Sequence, residues 1–252
     1  MSTYLTSDST NPLQNLEVPS SALAIGAHPD DIEFGCGGTL AKWAAKGCKI
    51  FHLVCTDGSK GTWDSNVDGA ALATRRQQEQ TEAARILGGT IPVTFLGWTD
   101  GELQSGMQQR AQIVRAIRRL KPEIVLAHDP WKRYRLHPDH RHAGFLATDG
   151  VVAARDPLFF PELGTHHRPS KMLLWEADDP DHEETIDEET FKVKLQALKA
   201  HASQYESTMG VNQLDDETQM IAFEERLRSR MTESALGQTG NLAEIFKLIT
   251  KV

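Results

Sequence analysis

Apolar stretches and polar, glycine-bearing stretches follow one another along this chain at regular intervals. The run Ala22 to Ala27 lacks period-two alternation, so it predicts a strand buried on both faces; Gly38 to Lys46 predicts the helix that follows, with Gly47 as its C-cap. The order then repeats. Lys49 to Cys55 predicts a strand, Thr56 to Gly69 a polar loop, and Ala71 to Leu87 a long helix closed by Gly88 and Gly89. Ile91 to Leu96 predicts a third strand, Met107 to Leu120 a helix, and Glu123 to Ala127 a fourth strand. Strand alternating with helix implies parallel pairing through right-handed crossovers, so the expected fold class is α/β: a Rossmann-like three-layer sandwich with a mostly parallel central sheet.

Beyond Ala143 the pattern weakens. A helix is expected up to Ala154, a strand over Lys171 to Ala177, and helices over Glu188 to Ala202 and Glu217 to Arg230. The charge run DDPDHEETIDEE, residues 178–189, reads as a solvated loop leading into a helix. Residues 1–20 are polar and read as a loosely held arm, leaving 21–252 as a single domain. That arm has neither the basic start nor the apolar core of a signal peptide, and no apolar stretch approaches the roughly 20 residues that span a bilayer, so a cytoplasmic protein without a membrane anchor is expected.

Composition narrows the function classes. At 252 residues with 39% hydrophobic and 25% charged positions, the chain can bury a substantial core. A net charge of −8 argues against nucleic acid or an anionic membrane as partner. Cys36, Cys48 and Cys55 are odd in number and include no CxxC, which excludes a disulfide framework and a thiolate zinc knot; they read as small buried residues.

The candidate chemistry lies where strands end. AHPDDIE, residues 27–33, follows the first strand, and ligands of open α/β sheets bind beyond the carboxyl ends of strands. A dinucleotide site would want glycines there, whereas Asp30, Asp31 and Glu33 would repel a pyrophosphate, and GCGGT at 35–39 lacks the GxGxxG spacing. Histidine beside carboxylates suits a divalent cation instead. Beyond the fourth strand come His128-Asp129-Pro130 and His137-Pro138-Asp139-His140. One HPD is an ordinary helix-entry turn, but capping explains neither the histidines nor their repetition at two strand ends. Glu33 is left between supporting a ligand and capping the turn.

At these residues the sequence resembles the LmbE-like (PIG-L) family of zinc-dependent N-acetylglucosaminide deacetylases, which includes deacetylases of mycothiol and bacillithiol biosynthesis and the mycothiol conjugate amidase. The resemblance is carried by AHPDDIEFGCGGTLAKWAAKG, CTDGSKGTWD, TRRQQEQTEAARILG, FLGWTDGEL and HPDHRHAG, with weaker echoes in HRPSKMLLW and LQALKAHASQY, in family order across residues 22–206. It implies removal of acetyl from a small N-acetylated sugar by zinc-activated water, with ferrous iron or another divalent metal as the alternative cofactor and a homo-oligomer as the expected assembly. It further implies His28, Asp31 and His140 as metal ligands, Asp30 as general base, His137 as a protonated group stabilising the oxyanion, and Asp139 orienting a histidine. Asp100 matches a position that contacts the sugar.

Those roles are physically coherent. Three protein ligands leave a coordination position open, as in catalytic zinc sites, and Asp139 could raise the pKa of His137 and fix its tautomer. Arg75 or Arg76, and Lys60, are candidate substrate contacts. The family commonly carries an acid and an arginine where this chain has Ser59 and Lys60, which bears on substrate contacts rather than on the metal chemistry. Trp131 to Leu136 reads as a lid, and His128, His142, His166 and His167 as surface or core residues. The rival readings are an amidase for a thiol-sugar conjugate and a sugar-binding protein that keeps the metal without turnover.

Overall fold

The first strand of the expected pattern forms because nothing along it needs water: all of Ser21–Gly26 is buried. In the computed structural model, which describes residues 13–212, 217–233, 235–236 and 240–252, the elements in chain order are β1 (Leu13–Gln14), β2 (Ser21–Gly26), α1 (Asp31–Ala44), β3 (Lys49–Thr56), α2 (Gly69–Ile86), β4 (Thr94–Trp98), α3 (Met107–Leu120), β5 (Ile124–His128), α4 (Pro138–Arg155), β6 (Lys171–Trp175), β7 (His182–Ile186), α5 (Glu188–Lys199), α6 (Glu217–Glu233) and β8 (Leu242–Ile249). The strands make one sheet in the order β1-β7-β8-β6-β5-β2-β3-β4. Every pairing is parallel except those of β8, which runs antiparallel to both β6 and β7. The α/β sandwich with a mostly parallel sheet is therefore the observed fold.

Two apolar layers cover the sheet. Leu23 and Ile25 of β2 face a core shared with Ile113, Ile117, Leu146 and Val151 of α3 and α4. The alternate residues Ala22 and Ala24 face Ile32, Leu40 and Trp43 of α1 with Ala83 of α2. A third cluster joins α5, α6 and β8 through Phe191, Leu195, Phe223, Leu227 and Leu242. Among the described residues no helix is long and apolar enough to cross a membrane.

Sheet order positions the site. From β2 the chain moves outward to β3 and β4 on one side, then returns to lay β5 and β6 on the other. The reversal leaves a crevice at the carboxyl ends of β2 and β5, the place where ligands of such sheets bind. AHPDD follows β2, and HDP starts on His128, the last residue of β5. Gly144 draws the HPDH segment to the same place: a Cβ there would stand 2.7 Å from the His128 carbonyl oxygen, so only glycine lets α4 lie this close to the end of β5.

Several elements differ from expectation. α1 starts at Asp31 and holds a non-helical residue at Cys36 (φ −151°, ψ 17°). The break is satisfied from outside, because Glu244 of β8 accepts from the amides of Gly38 (2.8 Å) and Thr39 (2.7 Å), while Lys194 of α5 donates to the Phe34 carbonyl (2.8 Å). β4 begins at Thr94 rather than Ile91, since Thr90 already pairs with Ile50 through backbone and hydroxyl and Pro92 has no N–H for a ladder.

The charge run is not a loop throughout: His182–Ile186 forms β7, with Glu184 wholly buried. The buried carboxylate draws partners from inside the run and from other elements. Glu184 accepts from His182 (2.9 Å) and the Leu16 amide (2.8 Å) and meets Lys42 at 2.5 Å. Residues 13–20, expected in the loose arm, carry β1 and are tied to this edge by Gln14, which donates to Glu183 at 2.9 Å. Residues 1–12 lie outside the described residues.

Candidate metal centre and active site

Asp30 N-caps α1 with φ 104°, a left-handed conformation rarely held by a side chain other than glycine and costing on the order of 1–3 kcal/mol. Its surroundings fix it there. The Asp30 amide donates to Gln80 Oε1 at 2.9 Å, and the buried Arg76 donates to the carbonyls of Pro29 (2.5 Å) and Gly58 (2.9 Å) and stands 3.5 Å from the Asp30 carboxylate. Gln80 in turn donates to Glu33 (2.8 Å), whose other oxygen lies 3.3 Å from His201. Burial raises the Asp30 carboxyl, Arg76 pulls it down, and the balance leaves it pushed up to about 6.

One residue on, Asp31 behaves in the opposite way. Burial works against its charge, but His140 and His128 outweigh it and hold the carboxyl well below the usual range. Asp31 Oδ2 accepts from the His28 amide (2.7 Å), lies 3.4 Å from His28 Nδ1 and 3.1 Å from His128 Nε2; Oδ1 lies 3.3 Å from His140 Nε2. The groups whose ligand atoms fall within 4.8 Å of one another are His28/His137/His140, Asp31/His128/His140 and His28/Asp100/Asp139. The expected trio His28, Asp31 and His140 is distributed over these overlapping groups, with Asp31 bridging the two histidines.

The donor set fits a cation. His28 Nε2 faces Asp139 (3.1 Å) and Asp100 (3.2 Å), both held ionised below the ordinary carboxylate range, so Nε2 carries a proton and Nδ1 is turned to Asp31. Burial opposes charge on this imidazole, yet Asp100, Asp139 and Asp31 raise its pKa well above the ordinary value. The centre favours positive charge, and its donors are the imidazole nitrogens and carboxylate oxygens that zinc-like metals take.

A cavity of about 690 Å³ opens over these groups, lined by His28, Asp30, Asp31, His137 and His140 and extending past Lys60 and Trp63. His137 N-caps α4 and is exposed, its ring 4.6 Å from that of His28 and 4.7 Å from that of His140. Burial lowers its pKa and His28 and His140 lower it further, while Asp139 and Asp100 pull it upward. Asp139 Oδ2 lies 3.1 Å from His28 Nε2, and its carboxylate also accepts from the amides of Gly101 (2.6 Å) and Leu103 (3.2 Å).

Among the candidate substrate contacts, Arg75 is turned away, its side chain half exposed and bonded to Glu79 at 3.0 Å, while Arg76 lines the cavity. Lys60 lines the mouth and pairs with Glu102 at 2.8 Å. Asp100 also lines it, with one oxygen on His28 and the other accepting the Lys60 amide at 3.0 Å. Of the expected lid, Trp131, Tyr134 and Leu136 are exposed, Lys132 reaches the cavity, and Arg135 turns inward to His128. Sequence reasoning passed over Gln80 and His201 and gave His128 no role beyond a surface or core placement; it is buried. Gln80 had a signal, since it lies four residues after Arg76 on one helix face and both reach the Asp30 turn.

Residues 23–151 match the PIG-L family, described as GlcNAc-PI de-N-acetylase. The chain belongs to this family. It is 37% identical over 196 residues to a diacetylchitobiose deacetylase of Thermococcus kodakarensis, covering 73% of this chain and 69% of that one. It is 36% identical over 185 residues to an uncharacterized deacetylase of Escherichia coli, covering 72% and 90%. The solved N,N'-diacetylchitobiose deacetylase of Pyrococcus horikoshii superposes with a TM-score of 0.78 at 28% identity, covering 92% of this chain and 84% of that one. The match to the PIG-L family spans both halves of the centre, from β2 through the HPDH turn into α4.

Proposed function

We propose that this chain is a metal-dependent N-deacetylase that hydrolyses the acetamide of an N-acetylglucosamine-type sugar or glycoconjugate. The observation that carries this is the divergence of Asp30 and Asp31: neighbouring buried carboxylates, one ionised between histidines and the other beside them, outside the candidate ligand groups and poised near 6. A binding site needs ligands but has no use for a spare, proton-exchanging carboxylate at their edge. The substrate class rests on the diacetylchitobiose deacetylases this chain is similar to.

His28, Asp31 and His140 would hold the metal, with zinc favoured by the nitrogen and oxygen donors. When bound, such an ion polarises an acyl oxygen and brings the pKa of water from 15.7 towards about 7. Asp30 takes the proton from the attacking water and later delivers it to the departing nitrogen. The water oxygen bonds to the acetyl carbon, the C–N bond breaks, and acetate and a free amine leave. His137 donates a hydrogen bond to the oxygen on which negative charge develops. Asp139 and Asp100 keep His28 in the tautomer whose Nδ1 faces Asp31. Arg76 and Gln80 hold Asp30 in its strained turn, and Lys60 at the mouth meets the hydroxyl-bearing part of the substrate.

The test pairs metal analysis of the purified protein with amine release from a panel of N-acetylglucosamine, diacetylchitobiose and thiol-sugar conjugates. Bound zinc and amine from an acetylated sugar are expected. Release from thiol conjugates alone would make the chain an amidase, and no release from any compound would overturn the reading. Iron as the sole bound metal would replace zinc.

A further inference from the structure

His128 is a buried histidine that the family resemblance does not use, and its two ring nitrogens face opposite kinds of partner. Trp175 Nε1 lies 2.9 Å from Nδ1, and Arg135 Nη1 lies 3.0 Å from the same atom. Indole and guanidinium nitrogens can only donate, so Nδ1 must be the acceptor and the ring proton sits on Nε2. That nitrogen is buried and has no well-formed hydrogen bond among the described residues; it faces Asp31 Oδ2 at 3.1 Å, close enough for contact but at an oblique angle. The ring also stacks on His140, with centroids 4.5 Å apart and planes 12° from parallel.

We propose that His128 is a positioning residue for the metal centre: it turns its Nε2 proton toward the Asp31 carboxylate and stacks on His140, and it is not itself a ligand. A ligand nitrogen needs a free lone pair, and Nε2 has given its own to the proton. This separates the two overlapping groups that share His140, since the Asp31/His128/His140 set can offer only Asp31 and His140. The device is anchored from behind. Arg135 pairs with Glu176 at 2.6 Å, and the Trp175 ring packs flat on Gly35, where a Cβ would stand 2.6 Å from it. β6 thus fixes the tautomer of a histidine on β5, which in turn orients a carboxylate at the start of α1. Hydrogen-bond partners of metal ligands are worth about 10- to 100-fold in metal affinity.

The inference rests on the metal-centre reading, and two measurements on the full-length protein keep the two apart. Long-range proton–nitrogen correlation spectra of the metal-free protein should show His128 with its proton on Nε2; a proton on Nδ1 would overturn the proposal whatever the metal result. Titration with Zn²⁺ should then give His128→Phe, which keeps the flat ring and loses the donor, an affinity lower by about 10- to 100-fold. His128→Gln, whose amide restores a donor, should stay within a few-fold of the parent.

Equal affinity for His128→Phe and the parent would overturn the proposal, as would equal losses in both variants. So would a Co²⁺ absorption spectrum in which His128→Gln loses a nitrogen ligand. A parent that binds neither ion would bring down the metal centre and this role with it. If His128→Phe does not fold, Trp175→Phe removes one of the donors that fix the tautomer; it should show Nδ1 protonation and several-fold weaker Zn²⁺ binding, and parent-like behaviour would overturn the proposal.

Discussion

Two regions of this protein bury charge, at opposite stretches of one sheet, and they use it differently. At the carboxyl ends of β2 and β5, Asp30, Asp31, His28 and His140 face a cavity, and one of the acids keeps a pKa near neutrality. On β7, next to the sheet edge, Glu184 is as deeply buried, but its carboxylate is met by His182, Lys42 and the Leu16 amide and is not part of the cavity over the centre. Both regions look alike in sequence, as dense runs of acid around a histidine. Burial of charge is thus not a mark of function; a buried group whose partners leave chemistry undone, at the mouth of a crevice, is.

The contrast can be broken by mutation. The largest effect is expected for His28→Ala, which should abolish metal retention and amine release together, as read by metal analysis and turnover; retention of stoichiometric metal would remove His28 from the centre. Glu184→Ala should do the reverse. Taking one partner from a buried pair costs about 3 kcal/mol, the low end of the usual range because Lys42 keeps some contact with water. Denaturant unfolding should show that loss, while metal affinity stays at the parent level. A parent-like unfolding midpoint would mean that the β7 charges are idle.

A smaller effect concerns pH. Asp30 must be ionised to accept a proton, and burial pushes its carboxyl up to about 6, so kcat/KM should climb as pH rises through about 6 and level off above. A flat profile down to pH 4.5 would mean that no such base is at work. The smallest effect separates adjacent arginines. Arg75→Ala removes the contact of a half-exposed arginine with the buried Glu79, which keeps its bonds from Ser203, and should change kcat/KM less than about twofold, whereas Arg76→Ala releases the Asp30 turn and should lower it far more. Equal effects would place both on the same footing and dissolve the distinction.

The parallel half of the sheet was legible because its first strands are continuous apolar runs and α1 and α2 are followed by Gly47 and Gly88; Met107–Leu120, capped by Lys121 rather than glycine, still has the bounds expected of it. The other half was not, because β7 opens with His182, Glu183 and Glu184, which become strand residues only through pairing with β8 and β1, a relation between segments about 60 and 170 residues apart that no local pattern expresses. The site divides in the same way. AHPDDIE and HPDH show themselves by chemistry and position after strands. His128 does not, since its role depends on Trp175 and Arg135 meeting at one ring nitrogen, and Glu33 is linked to Asp30 through Gln80 on another helix. Asp139 shows the limit of motif reasoning, for it lies beside His137 in the chain and serves His28 across the fold.

The central claim is that the adjacent carboxylates of AHPDDIE divide the work, Asp31 for the metal and Asp30 for the proton. It is tested most directly by measuring Zn²⁺ affinity and amine release side by side in Asp30→Asn and Asp31→Asn. Asp30→Asn should keep parent-like affinity while turnover falls by about 10²- to 10⁴-fold, the usual worth of a general base, and Asp31→Asn should lose the metal. An Asp30→Asn protein that loses zinc, or one that turns over at the parent rate, would contradict the account.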